Sequence, residues 1–455
     1  MKTVLLRPPR RDARDRGLAI PPLGLAYLAA TLRAQGRPVT LLDAYALDWS
    51  WEETRQEIVR LRPDVLGLGC MTPVADVAYR AAEALRPLVG RIVLGGPHAT
   101  ALGEGVLAEC RAVDHAVVGE GEEVIGPYLD WLEAGERGPP PPGVVHRGHV
   151  LRSHAVRRDI VDIEWPARDL LPQRAYRYLL ATRPGFATMI TSRGCPFRCS
   201  FCDKSVSGSR WRARPADDVV DEMAHLVRHH GVGFINFYDD NFTLSRRRVA
   251  EICEALLQRG VDVEWKCEGR VDGVDPELLQ LMRRAGCRTI AYGVESGHAD
   301  TLKKLRKDVD LGRVEETFAA TRDAGIRSLA YIILGTPGEE TADVEQTLRF
   351  VREIRADYVQ FSSLTAFPGT DLHAAHHGAT LLSAAGSNPV DSEYHRVVLT
   401  DLAPAELARL LRRAWVGFYL RPRPMARLAR DAWRSGSLQE GVRLGRSLAR
   451  WSLDR

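Results

Sequence analysis

Along the first 135 or so residues, short apolar runs alternate with stretches whose apolar residues recur at helical spacing. The runs Thr3–Arg7, Val39–Asp43, Val65–Cys70, Ile92–Gly96 and Ala116–Glu120 read as strands. Between them, Leu23–Gln35, Glu52–Arg62, Ala75–Leu88 and Glu122–Ala134 read as helices. Near-continuous apolar strands separated by helices predict a parallel sheet covered on both faces. Five such units fit a doubly wound, Rossmann-like domain whose ligand crevice lies beyond the carboxyl ends of its strands. Those ends carry Pro8-Pro9, Cys70-Met71-Thr72, Gly95-Gly96-Pro97-His98 and Gly119-Glu120-Gly121-Glu122.

Gly135 to Gly138 then lead into Pro139 to Pro142, a stiff extended linker, and residues 144–152 read as a small hairpin. From about 185 the alternation resumes. Strands are expected at Thr188–Ser192, Phe234–Asp239, Val263–Glu268, Thr289–Glu295, Leu329–Leu334 and Tyr358–Thr365. Helices are expected at Asp217–His229, Arg247–Gln258, Pro276–Ala285, Val314–Ala324 and Thr341–Arg355. Six strand–helix repeats close only part of an eightfold barrel, with chemistry again at the carboxyl ends of the strands. The chain from about 373 reads as mostly helical. The expected division is therefore α/β throughout: a doubly wound domain over 1–137, a linker over 138–184, a partial TIM-like barrel over 185–372, and a helical region over 373–455.

Composition narrows this little. The chain has 455 residues, room for about three structural units. Its 63 basic and 59 acidic side chains leave a net charge of +4, which carries no nucleic-acid signature. The longest apolar stretch, Leu18 to Leu32, is too short to span a bilayer and contains Pro21 and Pro22. No targeting segment is read, so the expected location is the cytoplasm, where the eight cysteines serve as thiols or ligands rather than disulfides.

The strongest chemical signal is Ser192-Arg193-Gly194-Cys195-Pro196-Phe197-Arg198-Cys199-Ser200-Phe201-Cys202. Three cysteines at C-x3-C-x2-C on one loop suit three corners of a cubane iron–sulfur cluster. The fourth iron is then left open to a ligand. A zinc site is the rival reading, with Asp203 or a distant histidine closing the tetrahedron. The other five cysteines stand singly and read as small buried residues.

On this motif, residues 185–370 resemble the core of the radical S-adenosylmethionine (SAM) superfamily, and the whole arrangement resembles its cobalamin-binding-domain class. The resemblance implies a 4Fe-4S cluster held by Cys195, Cys199 and Cys202, with SAM chelated at the open iron. Reductive cleavage of SAM then gives a 5′-deoxyadenosyl radical, fed by a one-electron donor such as flavodoxin or ferredoxin. Phe201 matches the aromatic that packs near adenine, or it simply packs the loop. Asp239 and Asp240 fall where the superfamily binds the methionine ammonium; a helix cap by Asn241, Thr243 or Ser245 is the other reading. Glu295 and Ser296 match the ribose-contact segment, and Gly335 opens the stretch that resembles the adenine contact. Arg270 is expected either to grip the SAM carboxylate or to form a structural ion pair.

In the first domain, whose loops resemble the cobalamin domains of this class, Thr72, Gly95 and Gly96 suit a corrinoid, which needs small residues and backbone amides at the sheet edge, and Glu120 and His98 are further expected contacts; a capping or loop role is the other reading of His98. The D-x-H-x-x-G motif that delivers an axial histidine is absent, and Asp114-His115 has the wrong spacing. The glycine-rich dinucleotide fingerprint is also missing after Arg7.

From Glu406 onward there are twelve basic and four acidic residues, with Trp415, Trp433 and Trp451 among them. Such a segment commonly packs on its own domain with its arginines solvated; the rival is a seat on an anionic membrane. The resemblance points to cobalamin-dependent methylation of an unactivated carbon in a small natural-product or lipid-type molecule. The alternatives are a radical dehydratase, cyclase or rearrangement enzyme on a sugar or other natural product, without methyl transfer and with the first domain free of cobalamin, and a non-enzymatic metal-bound scaffold.

Overall fold

The computed structural model describes residues 1–12, 15, 17–148, 159–375, 399–439, 441–442 and 445. They form two compact units. One contains Met1–Tyr176, Asp203–Arg210 and Pro368–Thr370; the other contains Arg177–Cys202, Trp211–Phe367 and the chain from Asp371 onward.

In the first unit, β1 (Thr3–Arg7), β2 (Val39–Asp43), β3 (Val65–Gly69), β4 (Arg91–Gly95), β5 (His115–Val117) and β6 (Val144–His146) form one sheet in the order 2-1-3-4-5-6. The first five strands are parallel, with Thr3 opposite both Val39 and Val65, as the apolar runs predict. Helices α1 (Leu23–Ala34), α2 (Trp51–Leu61), α3 (Ala75–Leu85), α4 (Pro97–Leu102), α5 (Gly105–Glu109) and α6 (Ile125–Glu133) complete the unit. Alternate residues of one strand enter different cores. Leu66, Leu68, Ile92 and Leu94 join one apolar cluster; Val65 and Val93 join another with Leu32 and Tyr128. Burial of both faces is why these strands read as unbroken apolar runs. Strand order reverses between β1 and β3, which puts the crevice beyond Arg7 and Gly69.

Two details differ from expectation. Residues 144–146 do not turn back on themselves; they pair antiparallel with β5 and cover its open edge, while 149–152 lie outside the described residues. The helix expected to Leu88 ends at Leu85, and its last turn is a tighter 3-10 turn containing Pro87, which has no N–H to continue the ladder.

In the second unit, β7 (Phe186–Met189) is followed by a two-residue pair, β8 (Ser192–Arg193) and β9 (Arg212–Ala213). Strands β10 (Phe234–Phe237), β11 (Glu264–Gly269), β12 (Cys287–Glu295), β13 (Arg327–Leu334) and β14 (Tyr358–Ser363) then join β7 in an all-parallel sheet in sequence order. Helices α7 (Ala216–His230), α8 (Arg246–Gln258), α9 (Pro276–Arg284), α10 (Ala299–Lys304), α11 (Leu311–Asp323) and α12 (Thr341–Glu353) alternate with these strands. Three more follow: α13 (Asp371–Ala375), α14 (Pro404–Tyr419) and α15 (Pro422–Arg434). This is the partial barrel with a helical carboxyl-terminal region.

The strand expected at Thr188–Ser192 is split. β7 ends at Met189, and the antiparallel pairing of β8 with β9 ties the two ends of the cysteine-bearing loop. Ile235, Trp265, Ile290 and Tyr292 point to the helix-covered core. On the opposite face, Leu180, Ala291, Leu329 and Tyr358 form a smaller apolar plug, against which Leu428 of α15 packs. No described helix is long and apolar enough to cross a membrane.

Candidate functional site

The loop after β8 leaves through Gly194 at φ +84°, a turn that glycine makes without strain. Cys195 and Cys199 are half-buried and Cys202 is exposed; Cys70, Cys110, Cys253, Cys267 and Cys287 are buried. Burial pushes the thiols of Cys70, Cys110, Cys253 and Cys267 up, away from the thiolate form that binds metal. Accessible thiols are therefore confined to this loop. Among the described residues, no three His, Cys, Asp or Glu side chains converge as they would around a single ion. A cubane spreads its thiolates over separate corners, so this donor set fits an iron–sulfur cluster better than zinc. Asp203, the residue offered as a fourth zinc ligand, accepts the Ser205 amide at 2.8 Å.

The loop is braced from several strand ends. Ser200 donates its amide to Leu305 and accepts from the Leu372 amide. Phe201 packs into the cluster of Leu305, Leu364, Ala366, Leu372 and Leu399, beside Ile333, the loop-packing role weighed for it. Asp240 accepts the Gly194 amide at 2.7 Å. Asp239 is buried and uses both carboxylate oxygens. One accepts the Thr191 amide, the other the Thr191 and Ser192 hydroxyls, each at 2.6 Å. Burial pushes the Asp239 carboxyl up, opposed by Arg248, whose guanidinium also donates to the Thr191 carbonyl. Asp239 thus clamps the stem of the loop. Ser245 accepts from the Arg248 amide and caps α8, so the capping reading of this string holds for Ser245.

Arg270 grips a carboxylate, but it is Asp272, through Nε at 2.9 Å and Nη2 at 2.8 Å. It also donates to the Asp308 carbonyl and lies 3.7 Å over the Phe197 ring, inside the cysteine loop. The ion-pair reading is the one observed, and its cationic face supports the loop. Glu295 sits at φ +66° and is buried against Lys307 at 2.9 Å. Gly293 makes that pair feasible: a Cβ there would lie 2.4 Å from the Glu295 carboxylate. Ser296 is fully buried, bonded to Thr347 Oγ1 and to the His298 amide, and fastens the end of β12 to α12. Gly335, at φ +82°, ends β13; its amide and that of Thr336 both donate to buried Glu339. The buried Thr336 hydroxyl and the second Glu339 oxygen have no protein partner among the described residues. Both atoms are buried at this strand end.

In the first unit, His98 is buried on α4 with both ring nitrogens engaged. Nδ1 meets Thr72 Oγ1 at 3.2 Å, and Nε2 meets the Tyr79 hydroxyl at 2.9 Å, which in turn donates to Glu109. The relay ties His98 to Thr72, Tyr79 and Glu109. Gly96 is obligatory: its φ is +103°, and a Cβ would lie 2.8 Å from the Cys70 carbonyl. Gly95 has only Val117 near its open side, at 3.9 Å. Glu120 is buried beyond β5. Met71, at the end of β3, is exposed.

One polar group on the inner barrel face escaped the sequence reading. Lys266 is buried, donates to Glu268 and lies 3.3 Å from Asn236 Oδ1. The Tyr331 hydroxyl reaches Glu268 at 3.1 Å, across β12, where Ala291 and Gly293 leave room. Burial disfavours the Lys266 ammonium, but Glu268 and the Tyr178 and Tyr331 hydroxyls hold it charged. The signal was present: Lys266 and Glu268 are alternate residues of a strand whose other face, Trp265 and Cys267, is core.

Comparison with known proteins agrees with this geometry. The radical SAM superfamily profile matches residues 189–351, and the B12 binding domain profile matches residues 12–126. The uncharacterized methyltransferase PH0819 of Pyrococcus horikoshii is 31% identical over 432 residues, covering 93% of each chain. The anaerobic magnesium-protoporphyrin IX monomethyl ester cyclase of Rubrivivax gelatinosus is 31% identical over 372 residues, covering 77% of this chain and 65% of its own. Among solved structures, the radical SAM methyltransferase TsrM of Kitasatospora setae, with cobalamin and a [4Fe-4S] cluster bound, shares the fold. Its TM-score is 0.69 at 19% identity, covering 90% of this chain and 81% of that one.

Proposed function

The chain belongs to the radical SAM superfamily, in the class that carries an amino-terminal B12-binding domain, and from that premise we propose that it methylates an unactivated carbon of a small molecule. The observation that carries this reading is the confinement of accessible thiols to Cys195, Cys199 and Cys202, on a loop braced at the carboxyl end of a partial barrel. When bound, the cluster with SAM supplies a 5′-deoxyadenosyl radical, and cobalamin supplies the methyl group.

The chain's own residues position and shield that chemistry. The three cysteines hold iron. Asp239, Asp240 and Arg270 fix the loop that presents them. The Gly335 turn, held by Glu339, lies at the adenine side, and Glu295 sits at the ribose side. Lys266, Glu268 and Tyr331 form the polar layer above the apolar plug and face the methyl acceptor. Residues 1–137 hold cobalamin against the glycine-bearing strand ends, with no histidine from His98, and residues 185–372 hold the cluster and SAM. Cytoplasmic residence with a flavodoxin- or ferredoxin-type donor completes the reading, since an open iron needs reducing, oxygen-poor surroundings.

The likeness to a cyclase favours one second reading: ring formation without methyl transfer. The two are separated by products. The anaerobically reconstituted enzyme, with SAM and a strong reductant, should release both 5′-deoxyadenosine and S-adenosylhomocysteine. 5′-Deoxyadenosine alone would replace methylation by the second reading, and neither product would end both.

A further inference from the structure

The helical carboxyl-terminal region has two halves with opposite fates. Helix α14 is committed to the core: Leu410, Leu411, Ala414, Trp415 and Phe418 are buried in it. Helix α15 is committed on one side only. Pro424, Asp431 and Ala432 are buried, and Asp431 is bound by Arg327 and Tyr358 at the amino-terminal end of the barrel. On the other side, Pro422, Met425, Ala426, Ala429 and Trp433 are all exposed. Their three- and four-residue spacing puts them on one face. Trp433 is 69% exposed and Met425 is 52% exposed, unlike the buried Trp415 of α14. Arg423, Arg430 and Arg434 are exposed one position beyond Pro422, Ala429 and Trp433, so they border this apolar stripe.

Arg434 also lines a cavity of about 520 Å³, together with Arg183, Arg283, Arg288, Arg327 and Glu264. Glu264 opens β11 and Arg327 opens β13, so the cavity lies at the amino-terminal end of the strands, opposite the cysteine loop. Glu264 pairs with Arg288, and Asp431 with Arg327. Among the described residues no carboxylate pairs with Arg283 or Arg434. Burial and the neighbouring Arg288 depress the Arg283 guanidinium, and Glu264 offsets this only in part.

An apolar stripe bordered by arginines, beside a cavity with unneutralised arginines, is complementary to a surface that is anionic outside and apolar beneath. We propose that α15 and the adjoining arginine cavity dock this protein on an anionic lipid bilayer, with Trp433 and Met425 in the headgroup boundary and Arg283 and Arg434 on lipid phosphates. The docking face is at the end of the barrel away from the cysteine loop, so the surface tethers the enzyme and leaves the reactive mouth free.

The test is flotation of the full-length protein with vesicles of phosphatidylcholine alone or phosphatidylcholine mixed with phosphatidylglycerol. The protein should float with the mixed vesicles, not with the neutral ones, and less as salt rises. The double variant Trp433→Ser/Met425→Ser should lower the bound fraction about tenfold or more. Arg283→Gln and Arg434→Gln should each lower it about fivefold. Unchanged thermal melting and iron content in these variants separate lost docking from misfolding. No flotation with mixed vesicles, or flotation indifferent to all the variants, would overturn the proposal. Binding of inorganic pyrophosphate that depends on Arg283, without vesicle binding, would also overturn it and leave a small-anion site.

Discussion

The two sheets present their carboxyl edges in opposite ways. In the first unit the edge is made of space: Gly95 and Gly96, a short turn at Thr72, and a histidine whose ring is consumed by neighbours. In the second unit it is made of braces. Asp239 holds Thr191 and Ser192, Asp240 holds Gly194, Arg270 stacks on Phe197, and Glu295 is locked to Lys307. A broad ligand that is bound by shape needs room and backbone. A loop that must hold a reactive metal centre in one geometry needs its supporting polar groups satisfied by protein. The contrast predicts that damage to the two edges will separate cobalamin retention from cluster chemistry.

The largest separation should come from replacing Cys195, Cys199 and Cys202 together by alanine. Iron should fall from about four per chain to near zero, and SAM cleavage should vanish. Cobalamin retention should stay at the wild-type level, as metal analysis and absorption spectra will show. The converse is Gly96→Val. A side chain at φ +103°, 2.8 Å from the Cys70 carbonyl, strains the first unit by about 1–3 kcal/mol. Cobalamin retention should drop while iron content holds. A smaller, more specific effect is expected for Asp239→Asn, which loses acceptor capacity toward Thr191 and Ser192. Iron affinity should fall about tenfold, and the paramagnetic spectrum of the reduced, SAM-bound cluster should broaden without loss of fold.

The smallest effect is a difference in acid response. His115 of β5 is buried against Tyr128 and Trp131, and burial lowers its pKa. The unfolded chain therefore takes up a proton at a higher pH than the folded chain. Stability from this group is present above the ordinary histidine value of about 6.5 and is lost as pH falls below it, through the depressed folded value. The first unit should loosen first on mild acidification. His115→Gln should flatten that slope in a melting-temperature series across pH.

Much of this was legible in the residues. Both sheets were visible because a parallel strand buried on two faces is an apolar run, and the cysteine triplet was visible because its spacing has few other uses. What escaped was the pairing of distant polar groups. Asp239 read as a ligand contact because a carboxylate at a strand tip usually faces a ligand, and its partners Thr191 and Ser192, 48 and 47 residues away, are set by tertiary placement. The pairing of β6 with β5 escaped because three residues after a proline-rich linker carry too little pattern to show that they close a sheet edge rather than a hairpin. The open face of α15 escaped because spacing alone does not tell which side of an amphipathic helix is covered.

The central claim is that one chain holds two independent cofactor seats of different construction. Anaerobic reconstitution with iron, sulfide and hydroxocobalamin, followed by desalting and counting both metals, tests it most directly. About four irons and equimolar cobalamin per chain are predicted, with each retained when the other is omitted. Iron without cobalamin, or a single zinc in place of the cluster, would contradict the account.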